Sequence, residues 1–150
     1  METSKFTTRK GLEITLNCES CNENNEYFVK KLQEINSTNH GRAIKNSLPD
    51  VHGVIWAMLG DEVVGSLFYD LERSKDSGGV WVVLAHVEPT YRQQGIYKEL
   101  HNVLSLLTKK IGRNKVVTWF NINNQKMFQI GKSVGYQGAM VIMERRLDEQ

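Results

Sequence analysis

The fold turns on one stretch: Val80-Trp81-Val82-Val83-Leu84-Ala85-His86-Val87-Glu88-Pro89-Thr90-Tyr91-Arg92-Gln93-Gln94-Gly95-Ile96. Trp81 to Val87 is an almost continuous apolar run, broken only by His86. Such a run reads as a central strand covered on both faces. Pro89 ends it, because proline has no N–H to give to the ladder. Ile96, Leu100, Val103, Leu104, Leu107 and Ile111 then recur at intervals that fit one face of a long helix, closed by Gly112. The order is strand, turn, helix. The first turn of a helix offers backbone N–H groups without intrahelical partners, together with the positive end of the dipole. That is a cradle for a diphosphate. Gly95 would let a phosphate approach without meeting a Cβ. A glycine at this position can equally serve close packing of helix on strand.

Upstream, Val54–Leu59 and Glu62–Asp70 are two apolar runs joined by Gly60-Asp61, a hairpin signal. Arg73–Gly79 is a second turn cluster. Leu12 to Leu16 alternates apolar and polar, which predicts a half-buried strand. The polar residues 1–11 predict a frayed end or an edge strand. Asn22–Asn36 carries Tyr27, Phe28, Leu32 and Ile35 at helical spacing, and 37–50 reads as a polar loop with a short helix at Arg42–Ser47. Downstream, Lys115–Phe120 predicts another buried strand. Asn121-Ile122-Asn123-Asn124 caps a helix whose apolar face is Met127, Ile130 and Val134, stopped by Gly135. Ala139–Met143 predicts a last strand. Trp56, Trp81 and Trp119 all fall in predicted strands and read as core. The sum is a mixed α/β sheet with helices on its faces.

The chain has 150 residues, the size of one domain spanning 1–150. It is 40% hydrophobic and 24% charged, a composition that argues against disorder. Its net charge of +2 predicts no strong attraction to nucleic acid or to anionic membrane. The longest apolar stretch has about seven residues where a spanning helix needs roughly 20. The polar opening Met-Glu-Thr-Ser-Lys leads into no apolar signal region, so a cytoplasmic location is the expectation. Cys18 and Cys21 stand in a C-E-S-C spacing. A redox pair needs a preceding strand and a following helix in thioredoxin fashion. A structural zinc needs two more ligands, which His40 and His52 do not supply at any finger spacing. The pair reads as two thiols in a loop before a helix, with no metal site.

Three motifs carry a family resemblance, in order and over residues 54–146. Val87-Glu88-Pro89-Thr90-Tyr91-Arg92-Gln93-Gln94-Gly95-Ile96 resembles motif A of the GNAT superfamily of acyl-CoA-dependent N-acyltransferases. Asn121 to Ile130, continuing to Val134-Gly135-Tyr136, is similar to the family's N-x-x-N segment and its Gly-aromatic pair. Trp56 to Gly65 is similar to its β-hairpin ending in Val-Val-Gly. The resemblance implies a mixed, mostly antiparallel central sheet, helices on both faces, and a splay between the family's strands 4 and 5. Those are strand 81–87 and strand 116–120 here.

It also implies an acetyl-CoA site. The pyrophosphate would lie on the backbone amides of Gln93, Gln94, Gly95, Ile96 and Tyr97, with Arg92 adding charge. The pantetheine would run in the V-shaped gap, bonded to main chain near Ala85 and Val87, and Asn124 would face it or cap its helix, or both. Two departures stand out. Tyr97 occupies a position that is usually small, and Gly131 occupies the position of the family's general-acid tyrosine.

The implied reaction is direct transfer of an acetyl group to an amine, either a small molecule or a protein lysine or N-terminus. An amine has a pKa near ~10, so a base must help remove its proton. Strand alternation places His86 and Glu88 on one face. His86 titrates in the useful range, and Glu88 could act through a water. A hydrogen-bonded core histidine and a solvated turn residue are the plain alternatives. A GNAT fold that binds acyl-CoA or a protein partner without turnover is the rival reading, favoured by Gly131. A homodimer would be in keeping with the family.

Overall fold

The computed structural model describes residues 3–20, 51–119 and 124–139, together with Met143, Arg145 and Leu147. The chain divides into two compact units, Met1–Thr118 and Trp119–Gln150.

The first unit is a six-stranded sheet in sequential order. Its strands are β1 (Thr3–Thr7), β2 (Glu13–Ser20), β3 (Gly53–Leu59), β4 (Glu62–Asp70), β5 (Gly79–Val87) and β6 (Lys115–Val117). β1 to β5 form an antiparallel meander, and β6 joins β5 in parallel. The hairpin between β3 and β4 turns on Gly60-Asp61 as the sequence predicts, with Gly60 at φ 59, where a Cβ would be strained. The polar N-terminal residues take the edge-strand option as β1.

Helix α1 (Ile96–Lys110) returns from β5 to β6 across one face of the sheet. Its Ile96, Leu100 and Leu104 are buried against Ile14, Leu16, Ile55, Leu67, Val80, Val82 and Val87. Gly65 is what lets the helix start so close. A Cβ there would lie 3.3 Å from Ile96 Cγ2 and 3.2 Å from the His86 carbonyl. The helix ends near Gly112, which adopts φ 81. On the opposite face Val54, Trp56, Phe68 and Leu84 form a second apolar cluster. The Trp56 and Phe68 rings meet edge to face at 5.6 Å, and Trp56 Nε1 donates to Glu19 Oε2 at 2.9 Å.

The second unit contains α2 (Gln125–Ser133), capped by Asn124, whose Oδ1 accepts the Met127 N–H at 3.2 Å. Gly135, at φ 102, follows its end.

Several expectations change. β2 reaches from Glu13 to Ser20, so Cys18 lies on a strand and not in a loop. β6 stops at Val117, short of the predicted Phe120. Trp119 is outside any strand and 53% exposed, which removes it from the core. Ala139 and Met143 are not in a strand. The helix predicted over 22–36, the loop 37–50, Cys21, Phe120 and residues 140–142 lie outside the described residues.

Candidate functional site: an open strand edge and an amide cradle

β5 is paired with β4 along its length, but with β6 only through Gly79↔Lys115, Val80↔Val116 and Trp81↔Val117. From Val82 to Val87 no strand among the described residues pairs with that edge. The sheet is therefore splayed between β5 and β6, at the place the sequence predicts, with its closed end at Trp81. An unpaired strand edge is a row of N–H and C=O groups ready to bond a further extended chain.

A bulge sets which side chains face where along this edge. The register runs Phe68↔Leu84 and then Tyr69↔Val82, so Val83 is the extra residue. Before the bulge Val80 and Val82 pack under α1. After it Ala85 and Val87 do, while Leu84 joins the opposite cluster. The bulge thus sends His86 to the face away from α1, in register with Ser66.

His86 is 6% exposed, and its Nε2 lies 3.7 Å from Glu88 Oε1. That is an ion-pair distance when the imidazole is protonated and too long for a hydrogen bond. Glu88 is more open, with 43% of its side chain exposed. The structure thus brings these two sequence-predicted residues together, at the mouth of the splay. The Ser66 hydroxyl beside them is fully buried and has no hydrogen-bond partner among the described residues.

The turn after β5 is tightly tied. Glu88 N–H donates to Val64 O at 2.9 Å, Tyr91 N–H to Glu88 O at 2.9 Å, and Arg92 N–H to Pro89 O at 3.3 Å. Arg92 Nε donates to Val87 O at 2.8 Å, which folds the guanidinium back onto the strand end. Then the bonding stops. The N–H groups of Gln93, Gln94, Gly95, Ile96, Tyr97 and Lys98 have no acceptor among the described residues. Gly95 is the helix cap, at φ 92, and supplies no side chain to fill that role. A Cβ on Gly95 would enter open space.

Gln93 stands at φ 64, the one non-glycine residue with positive φ among the described residues. The left-handed conformation costs an L-residue about 1–2 kcal/mol, and strain of this kind collects where backbone groups are aimed at a ligand. Gln94 is 4% exposed, and its Oε1 is buried without a hydrogen-bond partner. The amides of Gln93–Lys98, without acceptors among the described residues, lie at the positive end of the α1 dipole with Arg92 beside them, the kind of arrangement that can hold an anion.

Tyr97 and His101 sit one turn apart on α1, with ring centroids 4.5 Å apart. Burial pushes the Tyr97 phenol up to about 12 and the His101 imidazole down to about 4. Both are neutral at pH 7. The aromatic at position 97 therefore packs on its own helix, beside the cradle amides.

The Val83 bulge, the strained Gln93 and the neutral His101 escaped the sequence reading. The first two are backbone events with no composition signal. His101 was legible as a buried position, one residue after Leu100 on the apolar stripe. Asn124 fills its capping role in the second unit. In the same unit Gly131 is buried within α2, and its carbonyl accepts the Tyr136 N–H at 3.0 Å. Among the described residues no cluster of His, Cys, Asp or Glu could hold a metal, and no helix is long and apolar enough to cross a membrane.

No protein-family model matches the sequence, and no curated protein matches it. Solved structures do match the fold. AAC(6')-Iy, in complex with a bisubstrate analog of CoA, is 14% identical with a TM-score of 0.65, over 87% of this chain and 97% of that one. The aminoglycoside acetyltransferase meta-AAC0020, from an uncultured soil metagenomic sample and bound to sisomicin, is 16% identical with a TM-score of 0.62, over 89% and 97%. A protein from Pyrococcus furiosus is 17% identical with a TM-score of 0.65, over 88% and 99%. The fold is that of the GNAT acetyltransferases.

Proposed function

We propose that the protein is a cytoplasmic acetyl-CoA-dependent N-acetyltransferase, a single domain that transfers an acetyl group to a primary amine by direct attack. The acceptor is a small molecule or a protein amine, and nucleic acid is not among its partners. One observation carries the reading. The open edge of β5 runs straight into the unpartnered amides of Gln93–Lys98. The fold neighbours add support, because AAC(6')-Iy is described in complex with CoA.

In this reading the diphosphate lies on the amides of Gln93, Gln94, Gly95, Ile96 and Tyr97, with Arg92 beside it. The pantetheine arm takes main-chain bonds from Ala85 and Val87. When bound, acetyl-CoA supplies an activated thioester carbon. The arm contains two amide units and extends about 15 Å, like four to five residues of extended chain. The open edge from Val82 to Val87 spans about 17 Å. An arm anchored at the cradle therefore runs along this edge, past His86.

The amine nitrogen forms a C–N bond with the thioester carbon beside His86 and Glu88, the C–S bond breaks, and the thiol leaves. Its conjugate-acid pKa, near ~8.5 by analogy with cysteine, lets it depart at neutral pH without a dedicated acid. The proton lost by the amine reaches His86 and Glu88 through water in the gap. Glu88, 3.7 Å from His86 Nε2, stabilises the imidazolium once it forms. A non-catalytic acyl-CoA-binding module is the second reading, favoured by Gly131 at the place of the family's tyrosine.

Thermal unfolding with and without acetyl-CoA, followed by thiol release with an amine panel, tests both readings. Ligand at 100-fold its Kd adds about 2.7 kcal/mol of stability. Gln93→Glu is the companion variant: the side chain is exposed and the same size, and a carboxylate there suits the helix dipole but repels a diphosphate. No stabilisation of the unmodified protein at millimolar acetyl-CoA contradicts both readings. Stabilisation without an acetylated product from any amine selects the second.

A further inference from the structure

We propose that His52 is a proton-operated latch on the loop between β4 and β5. Neutral, its Nδ1 holds the Leu71 amide. Protonated, it gives that amide up and grips the Asp70 carboxylate instead. The inference rests on the geometry of this corner of the sheet and not on acetyl transfer.

His52 stands just before β3, and its own N–H donates to Tyr69 O at 2.9 Å. That bond fixes the backbone from which the imidazole projects. Two groups then meet the same ring nitrogen. The Leu71 N–H donates to Nδ1 at 3.1 Å, and Asp70 Oδ1 lies 3.3 Å from it. An imidazole nitrogen carries either a proton or a lone pair in the ring plane. With the lone pair, Nδ1 accepts the Leu71 N–H and faces the carboxylate oxygen with no hydrogen between them. With the proton, it donates to that oxygen and has nothing to offer the amide. The two bonds exclude each other, and one proton chooses between them.

Both sides of this exchange are prepared. Asp70 is 3% exposed, and its Oδ1 accepts the Glu72 N–H at 2.7 Å and the Arg73 N–H at 3.2 Å, so the carboxylate stays in place in either state. The His52 side chain is 34% exposed, so the ring exchanges protons with solvent. The other charged or titratable groups near this corner, among the described residues, are engaged elsewhere. On β4 the Tyr69 ring lies over Gly53 with Cys18 near it, and burial pushes the phenol up to about 12, so it is neutral. On β2 Glu19 accepts the Trp56 Nε1–H. On the loop Glu72 pairs with Lys75 at 3.7 Å, and the Arg73 guanidinium lies 4.2 Å from the Trp81 ring centroid.

Arg113 carries the consequence outward. Its Nη1 donates to Leu71 O at 2.5 Å and to Gly79 O at 3.1 Å, joining the start of the loop to the first residue of β5. The residue that the latch releases is therefore the one that anchors this tie. Protonating His52 loosens the start of the loop, while Arg113 still holds Gly79 at its end.

NMR of the whole chain tests the latch. The His52 ring nitrogens and the Leu71 amide are followed together through the pH range in which imidazoles take up a proton. Nδ1 should pass from unprotonated to protonated. On the same curve the Leu71 amide should lose its hydrogen-bonded shift and about 5-fold of its exchange protection, the size of one neutral hydrogen bond. His52→Asn puts an amide oxygen at the place of Nδ1, an acceptor that takes no proton, so Leu71 should stay protected across the range. His52→Phe offers no acceptor, so Leu71 should be unprotected throughout. A Leu71 amide that keeps its protection after the His52 ring is protonated overturns the latch, and so does one that titrates alike in the parent and in His52→Asn. Should either variant fail to fold, the parent's paired curves decide the matter alone.

Discussion

Between Gly79 and Trp81, β5 is bonded on both sides, to β4 and to β6. Among the described residues it is bonded on one side only between Val82 and Val87, and the segment after it leaves a run of amides without acceptors. At the closed end the loop between β4 and β5 is anchored by groups paired within the protein. Asp70 caps the loop and Arg113 pins its ends. At the open end the polar groups are arranged with equal care and left unpaired: Gln93 is held at φ 64, and Gln94 Oε1 is buried without a partner. Buried polar groups that go unpaired cost stability. That cost is the observation on which the proposed cofactor site rests.

The largest effect is expected at His86. His86→Ala should lower kcat by about 10²-fold, the low end for a general base, and leave the KM for acetyl-CoA within a few-fold. A flat pH–rate profile in the variant, against a falling acidic limb in the parent, would mark the residue as the proton acceptor. An unchanged rate and profile would place the open end's role in binding alone.

Next comes the cradle itself. Gln93→Glu should weaken acetyl-CoA by about 10–100-fold, the magnitude of a lost or reversed charge-assisted contact, while the melting temperature of the free protein holds or rises slightly. Equal loss of stability and affinity would mean that the turn is merely disrupted.

A third prediction concerns the helix beneath the cradle. His101 has a folded pKa of about 4 against 6.5 unfolded, so the unfolded chain binds its proton first as pH falls. Its contribution is fully present above pH 6.5. Between pH 6.5 and 4 it is lost at about 1.4 kcal/mol per pH unit. Denaturant titrations of the parent and His101→Phe over that window should diverge in slope. Parallel curves would mean that His101 is hydrated in solution. The smallest effect is Gln93→Gly, which relieves the positive φ and should add a few tenths of a kcal/mol to stability, because the glycine's greater freedom in the unfolded chain offsets most of the gain.

The features legible in the sequence were those fixed by local chemistry. Gly60-Asp61 specified its hairpin, Pro89 ended β5, and the spacing of Ile96, Leu100 and Leu104 placed α1 and with it the amide cradle. The rest depended on partners distant in sequence. Lys115–Phe120 reads as one apolar strand, yet it pairs only through Val117 because β5 diverges beyond Trp81. The Val83 bulge leaves no mark in an unbroken run of valines and leucines, although it decides which face His86 occupies. Cys18 looked like a loop residue because the polar Asn17 and Glu19 beside it mask the strand. Glu19 is in fact engaged with Trp56 across the sheet.

Backbone amide hydrogen exchange with and without acetyl-CoA tests the central claim most directly. If the open edge and the cradle take the cofactor, the added protection should concentrate on Gln93–Lys98 and on the Val82–Val87 segment, with Gly79–Trp81 unchanged because it is already paired on both sides. Binding of acetyl-CoA with protection elsewhere and none over 93–98 would contradict the account.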